Sequence, residues 1–324
     1  MHKVIALVGP TGVGKTAVAI ELAQKLEAQI VSCDSMQVYR DMAVLSQAPT
    51  HAQRRQAAHH LVECVDPTVS FDVGQYRKMA LPLIHWILSQ GKRVLIVGGT
   101  GLYLKALTQG LCDAPPSDAG VREQLWQECS GVGSVALHHR LKEVDALSAS
   151  RIHSNDARRI VRALEVFAVS GKPLSAWWDG PQVQRIQEAV AMIGLTRSRQ
   201  TLYERINQRL LHMIYEEGLI NEARDILRRD LSPTARQVHG LADIERYLKG
   251  ITTLQETIAI WQKRVRNYAK RQYTWFRHVP GITWVDIPAE ESIWQTAHLV
   301  IEQLGSLAVH DAVLPQRSSL YPIA

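Results

Sequence analysis

A doubly wound α/β core carrying an inserted all-helical domain is the fold class this sequence predicts, and three observations predict it. Short apolar runs, the kind buried on both faces, alternate with helical periodicities through the first part of the chain. The alternation stops at the Pro-rich break "CDAPPSD" (Cys112 to Asp118), and from Ala119 to about Pro181 the pattern is helical throughout. A buried strand then returns at "EAVAMIGLT" (Glu188 to Thr196), so the helical stretch interrupts the core instead of following it.

Taken in order, "KVIALVG" (Lys3 to Gly9) is the first strand, and a Gly-rich turn comes directly after it. "KTAVAIELAQKLE" then takes a helical period, with Val18, Leu22 and Leu26 on one stripe. "AQIVSCD" (Ala28 to Asp34) is the second strand. Asp41 to Pro67 is polar, irregular and rich in His and Gln, which predicts a long excursion over the surface. "FDVGQYRKMALPLIHWILSQG" predicts a helix ending at Gly91 that Pro82 kinks or splits. "RVLIVGG" is the third strand and "TGLYLKALTQG" opens another helix. After the insert and the strand behind it, "RQTLYERINQRLLHMIYEEGL" is a helix, and helices continue to about His278. A short strand "GITWVDI" precedes a weakly patterned tail. The predicted boundaries are therefore core 1–118, insert 119–183, core with basic C-terminal helices 184–285, and tail 286–324.

Bulk properties narrow the function. The 324 residues carry a formal charge of +6 and a pI near 9.2, which favours an anionic partner without specifying nucleic acid. Cys33, Cys64, Cys112 and Cys129 are scattered with no CxxC pair, as expected of free thiols in a reducing cytoplasm. No apolar run approaches the length of a membrane span, and Met1-His2-Lys3 leads straight into a strand, not a signal peptide. The histidine pairs His59-His60 and His138-His139 match no zinc spacing.

Gly9-Pro10-Thr11-Gly12-Val13-Gly14-Lys15-Thr16 satisfies G-x-x-x-x-G-K-[ST] between a strand and a helix. Such a P-loop bends the backbone until N–H groups converge on an anion. The helix terminus and Lys15 add charge, and the Thr16 hydroxyl can ligate Mg2+. The loop makes the core P-loop NTPase-like and implies a bound phosphate or diphosphate, not ATP in particular. Many nucleotide hydrolases place an acid at the end of the later strand; here that strand ends in Gly98-Gly99-Thr100. The nearest acid by topology is Asp34, in "DSMQVYR", because parallel strands share one carboxyl edge where ligands sit. Asp34 could hold magnesium through water, accept a proton, or simply cap the next turn. The missing carboxylate on the later strand weakens a nucleotide-hydrolase reading and leaves a P-loop kinase open.

"GPTGVGKT", "DSMQVYR", "GGTGLYLKAL" and "KRQYTWFR" (Lys270 to Arg277) together resemble the tRNA dimethylallyltransferases, also called tRNA isopentenyltransferases. The resemblance extends through about residue 280 and includes "RIHSNDARRIVRALEVFAVSGKPLS" in the insert. It implies that the loop holds the diphosphate of dimethylallyl diphosphate. The prenyl group would then go to the exocyclic amine of the adenine 3′ to the anticodon. It further implies Asp34 as base, Thr100 as an orienting group, Lys15 and Arg205 on the diphosphate, and Mg2+ on Thr16. Arg209 is a weaker diphosphate candidate. Contacts to the tRNA anticodon stem-loop are implied for Asp34, Ser35, Met36, Gln37 and Thr100. They are also implied for Arg122, Arg158, Arg159, Ile160, Val161 and Arg162 of the insert. On the basic helix they fall to Lys270, Arg271, Gln272, Tyr273, Thr274, Trp275, Phe276 and Arg277.

The helical spacing itself separates a basic stripe (Lys263, Arg266, Lys270, Tyr273, Arg277) from a mostly apolar one (Ile258, Trp261, Val265, Tyr268, Gln272). Without the resemblance, Arg158, Arg159 and Arg162 read as a solvated helix face paired with Glu165. A monomer suffices for this chemistry, and no membrane is involved. An adenylate prenyltransferase using free AMP shares the reaction but needs neither the insert nor the basic helix. Two stretches depart from the family pattern: Leu45-Ser46-Gln47-Ala48-Pro49 lacks the usual basic residue. "HGLADI" (His239 to Ile244) replaces a Gly-Tyr-Arg-like stretch.

Overall fold

The computed structural model describes residues 2–178, 184–288 and 290–313, with side chains described as far as residue 307. The expected end of the insert (179–183) and the end of the expected tail (314–324) lie outside the described residues.

Strands β1 (Val4–Val8), β2 (Ala28–Ser32), β3 (His59–His60), β4 (Arg93–Gly98), β5 (Val190–Thr196) and β6 (Ile282–Asp286) form one parallel sheet. Its order is β3-β2-β4-β1-β5-β6, so β1 is central, with Val8 level with both Gly98 and Gly194. Every β1 side chain is buried, because helices cover both faces of such a sheet and leave no polar side to the strand. The carboxyl ends of β1, β2 and β4 share one edge, and the P-loop, Asp34 and Thr100 all leave from it.

Around this sheet lie α1 (Lys15–Leu26), α2 (His51–Gln56), α3 (Val73–Ser89) and α4 (Gly101–Thr108). After the insert come α8 (Arg199–Tyr215), α9 (Leu219–Ile226), α10 (Leu241–Leu248), α11 (Leu254–Arg277) and α12 (Ile293–Val313). Together with the sheet they make one compact unit, drawn from the described residues of Met1–Thr108 and Ile186–Gln316. None of the helices among the described residues is long and apolar enough to cross a membrane.

Three expectations are corrected here. The stretch from Asp41 to Pro67 is no bare surface excursion: Met42, Leu45, Leu61 and Val65 are buried, and it contains α2 and the edge strand β3. The Glu222 carboxylate accepts the backbone N–H groups of Val44 and Leu45 at 2.9 and 2.7 Å, and a Thr50–Gln53 capping box starts α2. Pro82 neither splits nor ends α3. It stands on the exposed face, where the Lys78 carbonyl it leaves without an N–H partner can meet water. The residues after Asp286 form α12, whose Ala297, Val300 and Leu304 are buried at helical spacing, and which packs on α1.

The described residues of Gln109–Arg185 form the second compact unit. Its helices are α5 (Ala119–Val144, broken at Gly133), α6 (Ala146–Arg151) and α7 (Ala157–Ser170). Asp118, Asp145 and Asp156 cap them in turn by accepting backbone N–H groups. Leu125, Leu137, Leu141, Ile160, Val161 and Leu164 make its core.

Candidate active site

The P-loop joins β1 to α1 through Gly9, Gly12 and Gly14, at φ 148°, 82° and 112°. Those values belong to glycine and fold the turn into a concavity of amides. Its outward carbonyls are engaged by cations. Lys15 Nζ donates to Gly9 O and Pro10 O, both at 2.9 Å. Arg205 Nε donates to Gly12 O at 3.1 Å, and Arg197 Nε donates to Val13 O at 3.0 Å. Burial lowers the Lys15 pKa to about 8, with the Asp34 charge opposing the fall. Arg205 thus lies on the loop. Arg209 does not: Glu217 holds it by two bonds, at 2.6 and 3.1 Å.

Asp34 lies just beyond β2, and its Oδ1 accepts the Met36 N–H at 2.9 Å. The next N–H, of Ser35, donates to Thr100 Oγ1 at 3.0 Å. Backbone bonds Cys33 N to Val97 O (2.7 Å) and Thr100 N to Cys33 O (3.1 Å) continue the zipper between the two strand ends. Here the Gly-Gly end of β4 finds its reason. A methyl on Gly98 would collide with the Cys33 backbone, and one on Gly99 with the Gln272 amide. One on Gly101 would strike the Trp275 indole. Any side chain at the first two positions, an acid included, would displace the Cys33–Asp34 backbone or the Gln272 amide.

Gln272 ties the assembly together: its Oε1 accepts the Thr11 N–H at 2.8 Å, and its Nε2 donates to Gly99 O at 2.9 Å. A cleft beside the loop is lined by Thr11, Asp34, Met36 and Leu45, and by Val238, His239, Val265 and Tyr268. The Asp34 charge reaches Lys15, His239 and Tyr268, favouring the protonated form of each. Gln37 is held within the chain, donating to Gln47 O at 3.1 Å.

The residues expected to meet tRNA divide sharply. On α11, Lys270, Arg271, Thr274 and Arg277 are exposed; Arg277 lies over the Tyr273 ring, 4.4 Å from its centroid. Trp275 is half-buried against Gly101. Gln272 and Phe276 are buried, and so are Ile160 and Val161 in the insert, so these four are corrected from tRNA contacts to internal residues. The contiguous motif suggested contact along its whole length, but a helix turns successive residues to different faces.

Arg158 and Arg159 are exposed, whereas Arg122 and Arg162 converge on Glu165 at 2.7 and 2.9 Å. Glu165 is wholly buried and also accepts from the Ser117 hydroxyl and the Asp118 N–H. The solvated ion pair expected for it is therefore an internal hub, and its bonds hold the Glu165 carboxyl below the usual range against the cost of burial.

Tyr268 and His239 line the cleft, Glu222 holds its Leu45 wall, and Arg197 braces the loop at Val13, places that motif reading did not assign. Only Arg197 had a positional signal, at the carboxyl end of β5. For Mg2+, no three His, Cys, Asp or Glu side chains gather into a cage among the described residues. Mg2+ commonly takes only one or two protein oxygens, and the Thr16 hydroxyl at the start of α1 is an oxygen of the kind it uses.

Comparison with known proteins agrees over most of the chain. A family model described as IPP transferase matches residues 37–279, and one described as isopentenyl transferase matches residues 2–68. The tRNA dimethylallyltransferase of Syntrophobacter fumaroxidans is 44% identical over 285 residues, covering 87% of this chain and 83% of that one. A crystal structure of the tRNA isopentenylpyrophosphate transferase of Bacillus halodurans superposes with a TM-score of 0.67 at 35% identity. It covers 96% of this chain and 100% of that one. A eukaryotic dimethylallyltransferase acting on tRNA gives a TM-score of 0.79 at 25% identity, covering 96% and 80%.

Proposed function

We infer from a chain that belongs to the IPP transferase family, alongside tRNA dimethylallyltransferases, that it transfers a dimethylallyl group from dimethylallyl diphosphate to tRNA. The acceptor is the exocyclic amine of the adenine 3′ to the anticodon. The observation that carries the reading is the meeting of an amide-lined anion loop and the Asp34 carboxylate at one cleft.

The adenine nitrogen attacks the first prenyl carbon; the nitrogen–carbon bond forms as the carbon–oxygen bond breaks. Asp34 takes the amine proton, and Thr100 holds the Asp34 segment in place through the Ser35 N–H. Lys15, Arg205 and the loop amides receive the charge that grows on the leaving diphosphate. Magnesium, held through Thr16, would supply further charge neutralisation there. The acceptor base must leave its stack to reach the cleft, as in other enzymes that modify a nucleobase. Lys270, Arg271 and Arg277 on α11 are the phosphate-backbone contacts we assign within the core unit, with Arg158 and Arg159 in the insert. A P-loop kinase, or a prenyltransferase of free AMP, has no use for the insert and the basic helix, both of which lie within the matched span 37–279.

The test is direct. The chain is incubated with dimethylallyl diphosphate, Mg2+ and unmodified tRNA, and the RNA is weighed. One added five-carbon unit per tRNA is expected, and none when ATP replaces the donor. Unchanged RNA alongside hydrolysed ATP would overturn the reading.

A further inference from the structure

Beside Asp34, the cleft offers apolar side chains from Met36, Leu45, Val238 and Val265 and two rings, His239 and Tyr268. The rings touch, with centroids 4.1 Å apart and planes inclined at 51°. The Thr100 and Gln272 side chains, which brace the Asp34 segment and the P-loop, lie beside the Tyr268 hydroxyl. The His239 imidazole rests on the Tyr268 ring. Burial opposes protonation of His239, and Arg271 adds to that, while Asp34 acts the other way. The cleft adjoins the loop at Thr11, so a donor whose diphosphate sits in the loop can direct its five-carbon end into it. His239 also stands in the stretch where this chain departs from the family's usual sequence.

As the carbon–oxygen bond breaks, positive charge spreads over the allyl carbons. An uncharged ring face attracts such charge through its π electrons, whereas a protonated imidazole would repel it. Resting on the donor assignment above, we propose that His239 is a catalytic residue of this chain. Its imidazole, braced on Tyr268, lies against the prenyl group and stabilises that group's developing positive charge. His239 takes up no proton: the amine proton goes to Asp34 and the electron pair of the broken bond leaves with the diphosphate.

The experiment is single-turnover transfer to unmodified tRNA across dimethylallyl diphosphate concentrations up to saturation, for the full chain and variants at His239, with folding checked by thermal melting. His239→Leu should slow the chemical step about tenfold with the donor KM held within about twofold, because the interaction strengthens only in the transition state. His239→Phe restores a ring and should recover most of that loss. His239→Lys places a lasting positive charge beside the prenyl group and should cost at least about a hundredfold. His239→Gln and His239→Tyr replace the ringless and ring-bearing variants should either fail to fold. A ringless variant at the wild-type rate, a loss confined to KM, or a loss the ring does not recover would overturn the proposal. Absence of transfer by the unaltered chain would instead overturn the donor assignment, so the two failures are distinguishable.

Discussion

Raising the pH through 8 should weaken diphosphate binding, and Lys15 sets the size of the effect. This ammonium donates to two loop carbonyls in a buried position that brings its pKa to about 8. An arriving diphosphate restores the charged form, so binding takes up a proton wherever the free lysine has lost one. At pH 8 that is about half a proton per site, at pH 7 about one tenth, and at pH 9 about nine tenths. The charged fraction of the free protein thus falls about tenfold between pH 7 and pH 9, and the affinity should fall with it. The contribution is nearly complete at about pH 7 and is lost as pH climbs through about 8. Calorimetry with inorganic diphosphate and Mg2+, in two buffers of different ionisation enthalpy, measures both quantities. Lys15→Arg, which stays charged throughout, reports the protons exchanged by the ligand alone. Equal proton uptake by wild type and Lys15→Arg at pH 8, or a constant ratio of their affinities from pH 7 to pH 9, would refute the reasoning.

Asp34→Asn should cut transfer about 10²- to 10⁴-fold while leaving tRNA affinity within about twofold in a gel-shift titration; normal turnover would remove Asp34 as the base. Glu165→Ala should lower the stability of the chain by about 1–3 kcal/mol in denaturant titrations, since Arg122 and Arg162 lose their shared acceptor. Because the Glu165 pKa is depressed on folding, its contribution is present above the ordinary glutamate range and drains away as pH falls through the folded value. Glu165→Gln should lose that component of acid sensitivity. Lys270→Ala with Arg277→Ala should reduce the salt slope of tRNA binding by about one or two without changing which tRNA is preferred.

The strand–helix alternation made the core and its interruption legible, and the P-loop and Asp34 declared themselves through residue type and strand-end position. What the sequence concealed was held by single long-range contacts. Nothing about Leu45 suggests a buried loop until Glu222, 177 residues away, is seen to satisfy its N–H. The two histidines of β3 give no strand pattern because only Ile30 and Val31 pair with them. Along "KRQYTWFR" the composition was informative and the facing was partly so: the helical period set Gln272 apart from Lys270, Tyr273 and Arg277. Only the fold shows that Gln272 spends both ends of its amide on Thr11 and Gly99. The glycines ending β4 are conspicuous in the sequence as a missing acid, and their cause lies in the backbone of Cys33 and a side chain of α11.

The Gln272 link also bears on how the protein is made. Thr11 leaves the ribosome early, and its bonding partner emerges 261 residues later. Until then, a nascent chain has the loop's glycines but not the brace that sets one of its amides. Donor capture should therefore begin only late in synthesis, when α11 docks across the sheet edge and brings Gln272 to the loop.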